Sequence, residues 1–96
     1  MLKKILKRLE WEIAQAQDYI DQAFMVKSEN HSLAELFIEL GKEEIVHAEK
    51  LMREGNTIIS NLKEQDDFVH VWKWMHHKNV ECINDLNVKI NRYRSF

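Results

Sequence analysis

Proline is absent from this chain, and glycine occurs only at Gly41 and Gly55. Few residues therefore resist long helices. Cysteine occurs once, as Cys82. A lone cysteine excludes an intrachain disulfide and makes a reducing cytoplasm the expected compartment. No apolar run approaches the roughly 18–20 residues that cross a bilayer, so no membrane partner is expected. An excess of one charge is also missing. Fourteen Lys and Arg against 16 Asp and Glu leave a net charge of -2, with both signs interspersed. No broad basic surface points to nucleic acid. The start, Lys3-Lys4-Ile5-Leu6-Lys7-Arg8, is basic, but Glu10 and Glu12 interrupt it before a signal-peptide core can form.

What is present reads as one all-α domain. Ninety-six residues, 45% apolar and 31% charged, allow a single modest core. Hydrophobic periodicity predicts helices over about 2–27, 33–53 and 67–93. On the first, Leu2, Ile5, Leu6, Leu9, Ile13, Ala16, Ile20, Ala23 and Phe24 make one stripe. Ser28-Glu29-Asn30-His31-Ser32 is the first break, with Ser32 and Glu35 as a capping box. So short a connection predicts a long antiparallel hairpin, to which the third helix is added. Glu54-Gly55-Asn56 is expected to stop the second helix, with Gly55 as a left-handed cap. A continuous helix to about Lys63 is the alternative, because Ile58 and Leu62 stay in phase with Leu51. Asp66 or Asp67 is expected to cap the third helix. Its inner face reads as Phe68, Val71, Trp72, Met75, Cys82, Ile83, Leu86, Ile90 and Tyr93.

The second helix carries the chemistry. Leu33, Leu36, Leu40 and Leu51 share one face, and Glu44 and His47 fall on it where leucines would be expected. A carboxylate and an imidazole one turn apart in an apolar stripe are costly to bury unless something binds them. Both can reach one ion, because residues three apart project side by side. A Glu-x-x-His pair alone is common; shuffling this composition gives on the order of 0.6 of them. Position adds weight. Glu12 lies about 17 residues before the middle of the turn, and Glu44 to His47 about 15 to 18 after it, so all three stand at one height on the hairpin. Carboxylates with imidazole suit iron, manganese or zinc, and no thiolate accompanies them.

At these residues the chain resembles the ferritin-like superfamily, especially rubrerythrin-like proteins and short encapsulated ferritins. The resemblance covers roughly Leu9 to Arg53. It comprises Glu12 with Tyr19 seven residues later, then Ala34-Glu35-Leu36-Phe37 and Glu43-Glu44-Ile45-Val46-His47-Ala48-Glu49-Lys50-Leu51. It implies Glu12 and Glu44 as metal ligands, Glu44 bridging, and His47 as a terminal ligand. Tyr19, near the metals in those proteins, is by resemblance the candidate catalytic neighbour. The chain departs from a complete ferritin-like domain in lacking a second lone Glu and a second Glu-x-x-His in its C-terminal half. Half a site implies a homodimer, or a higher even oligomer, in which two hairpins form the four-helix bundle and share two irons. The implied activity is oxidation of Fe(II) by dioxygen or peroxide, as in ferroxidases and peroxidases.

The competing expectation is a non-catalytic helical interaction module. There Glu44 and His47 form a buried pair that fixes register, and a second apolar strip, Ile38-Ile45-Met52, binds another protein. His70, His77 and Glu81 lie on one face of the third helix and read as surface residues, with a surface metal site as the alternative.

Overall fold

The computed structural model describes residues 1–61 and 68–95. Among them the chain forms three α-helices and no strand: α1 (Leu2–Val26), α2 (His31–Asn61) and α3 (Phe68–Ser95). No described helix is long and apolar enough to cross a membrane. The helices lie along a rod of 54 × 18 × 15 Å.

The Met1 carbonyl accepts from the N–H groups of Lys4 and Ile5 to start α1, and the Val26 carbonyl accepts from Glu29 and Asn30 to end it. Asn30 then opens α2. Its Oδ1 accepts from the Leu33 N–H at 3.0 Å, and its carbonyl accepts from the Ala34 N–H. The cap is thus Asn30 rather than Ser32. Helix geometry already begins at His31, which places Ser32 inside the first turn. The tight turn produces the expected antiparallel hairpin. Tyr19 stacks on Phe37 with ring centroids 6.2 Å apart, Gly41 sits against Ala16 and Ile20, and Glu12 faces His47.

The hairpin closes on a different face of α2 from the one expected. Ala34, Ile38, Gly41, Ile45, Ala48, Met52 and Gly55 are buried, whereas Leu33 and Leu36 are 36% and 49% exposed. Leu40 and Leu51 are half-buried. Size decides this. Every seventh residue of the buried strip is Ala or Gly (Ala34, Gly41, Ala48, Gly55), and α1 answers with Leu2, Leu9, Ala16 and Ala23. Small side chains let two helices approach closely. A Cβ on Gly41 would lie 3.0 Å from Ile20 Cγ1 and 3.5 Å from the Ala16 carbonyl oxygen.

Gly55 does not end the helix. No glycine has positive φ, and α2 runs on to Asn61. Gly55 makes room for α3: a Cβ there would overlap the indole of Trp72. The Trp72 Nε1–H donates to Asn56 Oδ1 at 2.9 Å beside it. The helix thus follows the alternative, continuation past Gly55, as far as Asn61; its last step to Lys63 and the Asp66 or Asp67 cap fall outside the described residues.

α3 runs antiparallel to α2 and parallel to α1. Trp72 meets Gly55 near one end, while Lys27 Nζ donates to the Tyr93 carbonyl at 2.6 Å near the other. Its buried residues are Trp72, Asn79, Ile83, Leu86, Ile90 and Tyr93. Trp72, Asn79, Leu86 and Tyr93 again step by seven, a narrow seam. Val71 and Cys82, expected inside, flank that seam and are exposed. Glu49, Arg53 and Asn56 of α2 border α3, across a groove from His76, Val80 and Ile83. At about 100° per residue, the leucine face of α2 lies roughly half a turn from them, on the side that α3 leaves uncovered.

Candidate metal centre

Glu12 stands in the seam of α1 between Leu9 and Ala16 and is 3% exposed. A buried carboxylate needs a partner, and Arg8, one turn earlier, supplies it. Arg8 Nε donates to Glu12 Oε1 at 3.0 Å. The guanidinium itself lies over the Trp11 ring, 4.3 Å from its centroid. Trp11 stood out in the sequence only as an aromatic off the apolar stripe, and Arg8 was not singled out; the i, i+4 spacing of Arg8 and Glu12 was the available signal.

The other oxygen of Glu12 faces α2. His47 Nδ1 is 3.6 Å from Glu12 Oε2 and 3.8 Å from Glu44 Oε1, too far in both cases for a hydrogen bond. Glu12 Oε2 and Glu44 Oε2 are both buried with no hydrogen-bond partner. One ligand atom from each of Glu12, Glu44 and His47 lies within 4.8 Å of the other two, and among the described residues these form the single such cluster. Two donors each about 2.1 Å from one ion are at most about 4.2 Å apart. Small side-chain rotations would therefore bring the three donors to bonding distance.

The three residues meet at one height, but at the rim of the hairpin rather than in its core. The Glu44 side chain is 18% exposed and that of His47 is 52% exposed. Both open onto the uncovered leucine face. The donor set fits a divalent cation: two carboxylates with orphaned oxygens, one imidazole, and a single nearby guanidinium leave one negative charge when His47 is neutral. Oxygen and nitrogen donors without sulfur suit iron, manganese or zinc.

The other candidates do not join this cluster. Tyr19 is half-buried on the same flank of α1 as Glu12, but two turns away, about 10 Å along the axis; its ring packs on Phe37. His77 and Glu81 approach to 3.3 Å while both remain largely exposed, and His70 is exposed apart from the metal-ligand cluster. Two buried polar groups escaped sequence reading, Asn79 Nδ2 and His76 Nδ1, each without a hydrogen bond. Asn79 was visible only as a member of the seven-residue series.

Comparison with family models, with curated proteins and with solved structures returns no match.

Proposed function

We propose that the chain is a ferritin-like metal protein in which Glu12, Glu44 and His47 bind iron, or manganese, at a site shared by two copies. The reading is carried by one observation: two buried carboxylate oxygens without partners converge with an imidazole. Burying such oxygens is costly in the absence of a cation. Three donors leave an ion undersaturated, and the site opens onto a helical face bearing Leu33, Leu36, Leu40 and Leu51. A second copy related by a two-fold axis would cover those leucines and bring a second trio of donors, six for two ions. Iron, when bound, supplies electron exchange with dioxygen or peroxide, so the activity class is ferroxidase- or peroxidase-type oxidoreductase. Glu12 and Glu44 contribute negative charge that favours the more oxidised ion. His47 contributes a neutral donor, and a second copy seated on the leucines would limit water at the site. Tyr19 is held on the same flank by Phe37, within reach of the site only through intervening groups.

The test combines metal content with mass. Elemental analysis should find metal in dimers, and metal held tightly by a monomer would refute the shared site. Co(II) or Fe(II) at about 100 times its dissociation constant should stabilise the native protein by about 2.7 kcal/mol. His47→Ala should abolish that thermal shift; a variant that keeps it removes His47 from the centre.

The interaction-module reading retains one supporting observation, the exposed leucine face. Its proposed binding strip does not survive, because Ile38, Ile45 and Met52 are 0%, 4% and 8% exposed and fill the core. The Glu44–His47 pair it invokes is not fully buried either.

A further inference from the structure

Glu12 has two oxygens in different circumstances. Oε1 accepts a 3.0 Å hydrogen bond from Arg8 Nε, while Oε2 is buried, unpartnered and turned towards His47. An exposed i, i+4 ion pair would mean little. Here the carboxylate end is 5% exposed although the guanidinium end is 60% exposed, so Arg8 reaches inward to a group that water does not solvate. Trp11, itself 48% exposed, provides a platform beneath the guanidinium at 4.3 Å. A planar cation stacked on an indole has its orientation restricted. Arginine also keeps its charge at any working pH, so its hold on Oε1 is not lost when a metal enters.

We propose that Arg8 is a positioning residue of the metal centre: by occupying Oε1 it confines Glu12 to binding the ion through Oε2 alone. The inference rests on the metal-binding reading above and adds a binding mode to it. A free glutamate at this place could chelate through both oxygens and crowd out a position needed by an exogenous ligand. The clip formed by Arg8 and Trp11 keeps that position open. Hydrogen-bond partners behind a ligand control metal sites in this way.

Affinity is a poor readout of this role. Removing Arg8 loses the hydrogen bond that supports the ligand, which weakens binding, but also removes a like charge near the ion, which strengthens it. Each effect is on the order of tenfold, and they oppose one another. The coordination number separates them. The experiment is a Co(II) titration of the full chain followed by visible absorption, comparing the native protein with Arg8→Met and Arg8→Lys. Arg8→Met leaves the buried Glu12 carboxylate without its partner and should lower the metal-free melting temperature, so the bands are compared at a temperature at which circular dichroism shows each variant fully helical. Arg8→Met should give weaker, shifted bands, the signature of an added ligand oxygen. Arg8→Lys still donates to Oε1 and should keep the native bands. Native bands in Arg8→Met, or methionine-like bands in Arg8→Lys, would overturn the role of Arg8 while leaving the metal site standing. Failure of the native protein to take up Co(II), or uptake that survives His47→Ala unchanged, would overturn the metal reading and the role of Arg8 together.

Discussion

α2 is apolar on two faces, and the two are built from opposite kinds of residue. The covered face is Ala34, Gly41, Ala48 and Gly55 with Ile38, Ile45 and Met52 between them, and every one of these is buried. The uncovered face is Leu33, Leu36, Leu40 and Leu51, richer in hydrocarbon, yet exposed or half-buried. Hydrophobicity alone would have ranked them the other way. Close helix packing selects for shape and small size, because dispersion contacts fall away as backbones separate. The large residues are left on the side that the other described helices do not cover. Glu44 and His47 belong to that second face, which is why the candidate centre lies at a rim.

The largest expected effect comes from the smallest change on the covered face. Gly55→Ala adds one methyl group where the Trp72 indole already sits. The alanine gains about 1 kcal/mol of helix propensity. Overpacking against a buried, rigid ring costs about 1–3 kcal/mol or more. The variant should lose stability in urea melts, at every protein concentration. A variant more stable than the parent would mean that α3 does not seat on α2 at Gly55.

Leu36→Glu makes a larger chemical change on the uncovered face and should cost the isolated fold only about 0.5 kcal/mol, as for other surface positions. Its effect should appear in assembly. Sedimentation should show dimers for the native chain and monomers for the variant, with helicity retained. Unchanged mass in the variant would remove the leucine face from the interface and make its exposure unexplained.

This contrast also marks where sequence reading succeeds. The three helices follow from periodicity and from missing proline. The common height of Glu12, Glu44 and His47 follows from counting residues on either side of one short turn, which is a matter of fixed rise per residue. Choosing between the two faces of α2 was beyond a hydrophobic pattern, since Leu40 outweighs Gly41 on any such scale. The series Ala34, Gly41, Ala48, Gly55 was present, but each glycine read locally is a helix breaker. Only the partner helix reveals it as a place of contact. Arg8 was hidden for a related reason: on a basic, solvated face it looked ordinary, and its meaning depends on the burial of Glu12.

The smallest effect probes how far the covered seam extends. Tyr93 is the last of the series Trp72, Asn79, Leu86, Tyr93 and is 2% exposed. Its phenol pKa is raised from 10.0, first by burial and then by the nearby Glu35 carboxylate, with Arg94 pulling in the opposite sense. A raised folded-state pKa means that the native protein holds its phenolic proton more tightly than the unfolded chain does. The associated stability is fully present below about pH 10, the unfolded value, and is lost as pH rises through the folded value. Tyr93→Phe carries no such proton. At neutral pH, replacing the phenol should change stability by no more than about 1 kcal/mol. Above pH 10, the native urea midpoint should fall more steeply than that of the variant. Parallel curves would place the Tyr93 hydroxyl in water, and the seam between α3 and the hairpin would then stop short of its final seven-residue step.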